Sequence, residues 1–293
     1  MPRPLPEEFE FDDPGLVSVY DEMPFWSAPF GLALLAAARI RRGLQALDVG
    51  CGTGFPLIEL AQRIGPSGHA WGLDPWKGGL ARAREKLRLR DVPNVTLLEG
   101  VAERIPLEDG SVDLVVSNNG LNNVQDLDLS LRECARVARS EAQLVLTWNL
   151  PETMVELYEV FESALRAVGR EDEVRRMRDH VAEKRKTVAF MRERVERAGF
   201  AVQRVELGGF PWHFADGGAL FDHFFIRLGF VPAWAEVVEE GARHEVFTRI
   251  RARLDEEASS RGGLSFTVPF ACLDGVRRGR AGRPSSLPPA LPI

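Results

Sequence analysis

Between residues 44 and 148 the chain alternates short, unbroken apolar runs with longer stretches in which apolar residues return every three or four positions. The short runs fall at 44–49, 69–74, 95–99, 112–117 and 143–148, and the periodic stretches at 55–64, 77–88 and 126–139. Unbroken apolar runs predict strands covered on both faces, and the spacing of three and four predicts amphipathic helices. Their alternation predicts βαβ units wound into a parallel sheet. Such connections are right-handed, so helices are expected on both faces.

A charged segment follows at 151–198, in which Val155, Tyr158, Val160, Phe161 and Leu165, then Val188, Met191 and Val195, keep helical spacing. It predicts two helices broken near Gly169, with Gly199 as the stop of the second. Residues 200–207 read as a sixth strand and 263–273 as a seventh. The stretch between them is rich in aromatics, is interrupted by Pro211 and Pro232, and has helical patterns at 221–228 and 234–254. Ahead of the first strand lie an aromatic segment from Tyr20 to Trp26 and an Ala/Leu-rich helix ending near Arg42, both of which need a surface to pack on. The expected organisation is a helical lid segment at 1–42, a core at 43–207 and 263–276, a helical aromatic cap at 208–262, and a disordered tail at 277–293 rich in Pro, Gly and Ser.

A chain of 293 residues accommodates one large domain with an insertion. Its longest apolar run, 30–38, falls short of the roughly 18 residues of a membrane span, and the N-terminus lacks the regions of a signal peptide, so the cytoplasm is the expected location. A formal charge of −6 gives no support for a nucleic-acid partner, and the basic run at 277–283 reads as solvated tail. Cys51, Cys134 and Cys272 are scattered without a Cys-x-x-Cys pair, so neither a disulfide framework nor a metal site is expected.

Candidate chemistry concentrates where the first strand ends. Leu47-Asp48-Val49-Gly50-Cys51-Gly52-Thr53-Gly54 runs from strand into helix, which places backbone amides at a helix N-terminus and glycines where a side chain would hold a ligand away. A tight structural turn is the other reading. Dinucleotide turns carry their third glycine three residues after the second, a slot that Phe55 fills here. Asp48 suits a cationic or zwitterionic ligand better than a pyrophosphate. These residues resemble motif I of the class I S-adenosylmethionine (SAM)-dependent methyltransferases. SAM has a carboxylate for the amides and two positive centres, its amino group and sulfonium, for an acidic rim. Asp74, 20 residues beyond Gly54, ends the second strand, where a carboxylate can accept both ribose hydroxyls or simply cap the next helix. The surrounding Ala70-Trp71-Gly72-Leu73-Asp74-Pro75-Trp76 is similar to the family's second motif.

The resemblance implies a three-layer α/β Rossmann-like sheet of seven strands in the order 3-2-1-4-5-7-6, with the seventh strand antiparallel. It implies SAM as cofactor, with Asp48, Gly50, Cys51, Gly52 and Gly54 at the first strand end and Asp74, Pro75 and Trp76 at the second; Tyr20 is a further candidate contact. Trp76 packs on the adenine or in the core. Val101 stands where the family often has Asp or Asn, which leaves Ala102 and Glu103 as candidates to frame the base, Glu103 being equally readable as a surface residue. The exit of the fourth strand, Ser117-Asn118-Asn119-Gly120-Leu121-Asn122-Asn123, is close in form to the ubiquinone/menaquinone C-methyltransferases. Ser117 and Asn118 should then face the methionine end, unless the asparagines only shape a turn.

The expected reaction is methyl transfer to a small-molecule acceptor, apolar or planar in view of the aromatic cap. His213 and His223 are candidate bases, although a histidine beside aromatics also serves as packing. A SAM-binding but catalytically silent partner protein and a Rossmann oxidoreductase are the alternatives. The sequence does not distinguish O, N, C and S acceptors or indicate an oligomeric state.

Overall fold

The computed structural model describes residues 12–23 and 25–279. α1 (Pro14–Asp21) and α2 (Ala28–Ala37) lead into β1 (Gln45–Val49), α3 (Leu57–Ile64), β2 (His69–Asp74), α4 (Lys77–Leu89), β3 (Val95–Glu99), β4 (Val112–Asn118), α5 (Leu127–Val137) and β5 (Ala138–Asn149). α6 (Val155–Ala167), α7 (Glu171–Lys184) and α8 (Val188–Arg197) precede β6 (Phe200–Phe214). α9 (Gly217–Asp222), α10 (Phe224–Gly229), α11 (Val231–Val237) and α12 (Glu240–Arg261) then lead to β7 (Leu264–Arg277).

The strands form one sheet in the order β3-β2-β1-β4-β5-β7-β6, the order expected. β1 to β5 pair in parallel, and β7 runs antiparallel between β5 and β6. In β1 every residue from Ala46 to Val49 is buried, as a central strand covered on both faces requires. Leu47, Val49 and Val115 pack on one face with Leu131 of α5 and Val195 of α8. Ala46, Leu114 and Val116 pack on the other with Leu34 of α2 and Leu57 and Ala61 of α3. A separate core joins Tyr158 and Phe161 of α6 and Met177 of α7 to Phe221, Trp234 and Phe247 of the cap.

The charged segment after β5 forms three helices rather than two. Thr187 caps α8 through a side-chain bond from the Phe190 amide, 3.2 Å, and α7 buries only Glu173, Val174 and Met177, too sparse a pattern to declare itself in sequence. β6 also continues beyond 207. Gly208 to Phe214 pair with Phe270 to Leu264, so part of the expected insertion is strand. The period of two in Phe210, Trp212 and Phe214 is the signal for it, and β6 tolerates Pro211 because it is an edge strand. The insertion proper, α9 to α12, therefore hangs between the paired ends Phe214 and Leu264. Arg277, expected in the tail, ends β7 and donates to the carbonyls of Ala135 and Gly199, both at 2.9 Å. The rest of that tail from 280, and the chain before residue 12, lie outside the described residues. No helix among the described residues is long and apolar enough to cross a membrane.

Candidate functional site

The turn after β1 is shaped by close backbone approaches. A Cβ at Gly50 would lie 2.6 Å from the Cα of Gly120, and one at Gly120 only 2.3 Å from the Val49 carbonyl, so the turns after β1 and β4 press together through two glycines. Gly52 differs. Its φ is +50°, and a Cβ there would meet nothing within 4 Å, so this glycine faces open space. The Gly50 and Cys51 amides both donate to the Leu73 carbonyl, at 2.8 and 3.2 Å, and the Gly54 amide to the Cys51 carbonyl at 2.8 Å. The Gly52 amide donates to Oδ2 of Asp74 at 2.8 Å. The amides expected to receive an anion at 50, 51, 52 and 54 are thus engaged within the protein. The buried Cys51 thiol lies under the turn, its pKa pushed well up by burial and then by Asp48 and Asp74, so it is an inert packing group.

Two carboxylates define the electrostatics. Asp48 is fully buried, and neither oxygen makes a hydrogen bond among the described residues. Burial, and next the charge of Asp74, push its pKa up to about 8, the Leu57 amide drawing it the other way. Asp74 accepts from the Trp76 amide through Oδ1 and the Gly52 amide through Oδ2, both at 2.8 Å. Burial raises its pKa against those two bonds. A buried carboxylate with no donor but the Leu57 amide beside it is costly unless a positive or donor-rich group completes it.

The N-terminal segment covers this region. Tyr20 packs edge-on against Trp76, ring centroids 5.3 Å apart, and burial followed by the charges of Asp74 and Asp21 raises its pKa. Asp21 binds Lys86 at 2.6 Å and Arg82 at 3.0 Å on α4. Burial opposes its ionisation, but the bonds from Lys86, Thr53 and Arg82 prevail and hold it below the usual carboxylate range. Pro75 is exposed beside the turn. Replacing Asp21 by Asn should free α1 from α4, and amide exchange over 14–21 should quicken by at least about tenfold, a local opening cost of about 1.4 kcal/mol. Unchanged exchange would show that the aromatic contacts hold α1 alone.

Other expected residues are placed differently. Ala102 is buried, while Oε1 of Glu103 accepts from the Gln125 and Asp126 amides at 2.8 and 3.0 Å, leading into α5. Ser117 donates to the Val49 carbonyl at 2.7 Å and accepts from the Leu121 amide at 3.1 Å, so its hydroxyl ties the two turns together rather than facing a cofactor. Asn118 donates to the Ser27 carbonyl at 3.2 Å and accepts from Thr147 at 2.9 Å, which anchors the lid segment. His213 is exposed, on the opposite side of β6 from Trp212 and Phe214, because side chains alternate along a strand. His223 packs edge-on to Phe25, Trp212 and Phe214, each at 5.5 Å, and burial lowers its pKa. The two histidines are not brought together; only His223 joins the aromatic cluster.

That cluster links the lid segment to the cap. Trp26 meets Trp212, Phe225 and Phe230 at 5.5, 5.6 and 5.4 Å. Beneath it, a cavity of about 250 Å³ is lined by Trp26, Asn119, Asn122, Asn149, Phe230 and Trp234, together with Tyr158, His180 and Arg185. A larger cavity of about 770 Å³ lies between α6, α7 and the start of α8, and shares Tyr158, Val181 and Arg185 with the smaller one. The smaller cavity adjoins the cofactor turn, since Asn119 and Asn122 flank the Gly120 that abuts Gly50. Tyr158, His180 and Arg185 were not singled out in sequence as site residues: Tyr158 read as packing, and His180 and Arg185 sit in an ordinary-looking charged run.

Comparison with known proteins agrees with this geometry. Residues 47–146 match a family described as a methyltransferase domain. A demethylmenaquinone methyltransferase of Listeria welshimeri is 42% identical over 106 residues, which are 36% of this chain and 45% of that protein. The chain thus spans less than half the length of that curated relative. Among solved structures, a SAM-dependent methyltransferase from Aquifex aeolicus aligns with a TM-score of 0.51 at 23% identity, covering 66% of this chain and 91% of its own. The YcgJ protein of Bacillus subtilis aligns with a TM-score of 0.56 at 18% identity over 86% of this chain and 99% of its own.

Proposed function

We propose, from the premise that residues 47–146 form a class I SAM-dependent methyltransferase domain, that the chain transfers a methyl group from SAM to a small-molecule acceptor held under the aromatic cap. The observation that carries this reading is Asp48, a fully buried carboxylate without a hydrogen bond among the described residues, beside the open face of Gly52 and the paired Asp74. Asp48 offers the counter-charge for the positive centres of the cofactor. The unused lone pairs of Asp74 are the acceptors for its ribose hydroxyls, and Tyr20 and Trp76 cover that end. When bound, SAM supplies a methyl carbon already activated by its positive sulfur.

The chain's own contribution is to bind, align and exclude water. Such positioning is worth roughly 7–11 kcal/mol in favourable cases, so no dedicated base is required. Trp26, Phe225, Phe230 and Trp212 close the roof, and the small cavity beneath holds the acceptor. His180 and Tyr158 line that cavity, whereas His213 is exposed on the other side of β6; His223 belongs to the roof. Relatives named for demethylmenaquinone match over about half of their length, and Tyr158, His180 and Arg185 all lie beyond the family match. A quinone is therefore not carried over to this chain.

Incubation with methyl-labelled SAM and a metabolite extract should yield a labelled small molecule; SAM binding with no labelled product from any extract would favour a silent partner protein. Gly52→Ala should cost about 1 kcal/mol in stability, since only its left-handed backbone is strained, while SAM affinity falls at least about tenfold as the methyl enters the open face. Calorimetry with unchanged affinity would remove Gly52 from the site.

A further inference from the structure

The cavity under the aromatic roof has an unusual inventory of polar groups. Its ionisable lining consists of His180, Lys184, Arg185 and the phenol of Tyr158, with no carboxylate among the described residues. Arg185 is 5% exposed; its guanidinium donates to the Thr153 carbonyl and, at 3.1 Å, to the Tyr158 oxygen, and lies 4.7 Å from the centroid of the Tyr158 ring. It forms no ion pair among the described residues, although the chain is rich in exposed arginine–carboxylate pairs. The neighbouring Lys184 pairs only with Glu183, at 3.4 Å on the exposed side.

The neutral groups repeat the pattern. The Tyr158 oxygen accepts from Arg185 and, at 2.9 Å, from the Trp234 indole. Both its lone pairs are filled, so its own proton is left to be donated, and no acceptor for it lies among the described residues. The Asn119 side-chain nitrogen, which also lines the cavity, is a buried donor without a partner among the described residues. Tyr158 and Asn119 thus offer donors that no described residue accepts, and Arg185 a charge that no described carboxylate pairs with. A buried cation without a counter-charge weakens a fold, and an apolar side chain of similar volume would serve packing as well or better. Its presence beside a cavity is accounted for by a ligand that brings the missing negative charge.

We propose that the methyl acceptor is a small planar or apolar molecule bearing a carboxylate, or a similarly compact oxyanion, which docks on Arg185 and Tyr158 while its body lies between Trp26, Phe230 and Trp234. The proposal rests on the methyltransferase reading for the word acceptor, but the anion site stands on the cavity alone. Arginine is suited to the task because its planar fork meets both oxygens of a carboxylate. The size fits as well: a cavity of about 250 Å³ admits a single-ring molecule, and the larger cavity that shares Tyr158 and Arg185 adjoins it. The burial that shields Arg185 from water also strengthens its attraction for the anion.

The test is calorimetry on the full chain saturated with S-adenosylhomocysteine, using matched acids and alcohols: benzoate with benzyl alcohol, phenylacetate with 2-phenylethanol, and cinnamate with cinnamyl alcohol. At least one acid should bind tenfold or more tightly than its alcohol. Arg185→Met should reduce that preference to within twofold while the affinity for S-adenosylhomocysteine stays within twofold of wild type. Arg185→Lys, a second variant that keeps the charge and loses the fork, should reduce the preference at least threefold. Equal binding of each acid and alcohol, binding of none of the acids, or a preference that survives both substitutions overturns the proposal. Failure of S-adenosylhomocysteine to bind wild type would instead overturn the methyltransferase reading, and the acid preference remains measurable without it.

Discussion

Replacing Asp74 by alanine is expected to weaken SAM binding by roughly a hundredfold to a thousandfold while the chain stays folded. Hydrogen bonds to a charged group contribute about 1.5–3 kcal/mol each, and the carboxylate is placed to accept two from a ribose. It also accepts the Gly52 and Trp76 amides, so its loss unpins the glycine turn from the end of β2 as well as removing the ribose acceptor. Asn is a poor rescue at this position. Its amide nitrogen would face one of those two N–H donors, so Asp74→Asn should bind SAM nearly as weakly as the alanine variant. Calorimetry that found either variant binding within threefold of wild type would sink the assignment.

Asp48 gives the second large effect, and it depends on pH. Its folded pKa is about 8 against an ordinary value of 3.8, so the folded state keeps a proton that the unfolded state has lost between those values. Stability should therefore fall as pH rises from about 4 to 8, by at most about 1.4 kcal/mol per unit from this group, and level off above. Asp48→Asn removes the ionisation, so at pH 9 the cofactor-free variant should be more stable than wild type by a few kcal/mol, with the difference closing near pH 4. Binding of SAM shows the reverse. If its positive groups require the carboxylate, binding expels the proton below pH 8, affinity climbs up to tenfold per pH unit towards that value, and Asp48→Asn binds poorly throughout. An affinity independent of pH in wild type would separate Asp48 from the cofactor.

The strand-end turns were legible because their sequence signals are local. Asp48, the three glycines and Asp74 lie at strand ends that the alternation of apolar runs already located, so sequence spacing stood in for spatial position. Even there the use of the turn's amides was not visible, because the Leu73 carbonyl and the Asp74 side chain that engage them belong to another strand. Ser117 and Glu103 illustrate the same limit. Each has the right type and place for a ligand contact, but its partners, the Val49 carbonyl and the Gln125 and Asp126 amides, fix it as scaffold. The cavity beneath the aromatic cluster was illegible for a different reason. Arg185 is one arginine among many in a charged stretch, and only the fold shows that it lacks a carboxylate and faces Tyr158. His213 looked promising through its neighbours in sequence, yet a strand sends adjacent residues to opposite sides.

The long β6–β7 pairing has a consequence for how such chains diversify. α9 to α12 leave the sheet at Phe214 and return at Leu264, its ladder partner, so the whole excursion begins and ends at one point. A segment anchored in this way can be exchanged for another of different length without altering the register of the strands below it or the position of the donor site. Deletion is another matter, because Tyr158, Phe161 and Met177 would lose the aromatic layer they pack against. Substitution of one insertion for another is therefore the open route, and it would re-line the cavity at Phe230 and Trp234 while the turns at the ends of β1 and β2 stay as they are.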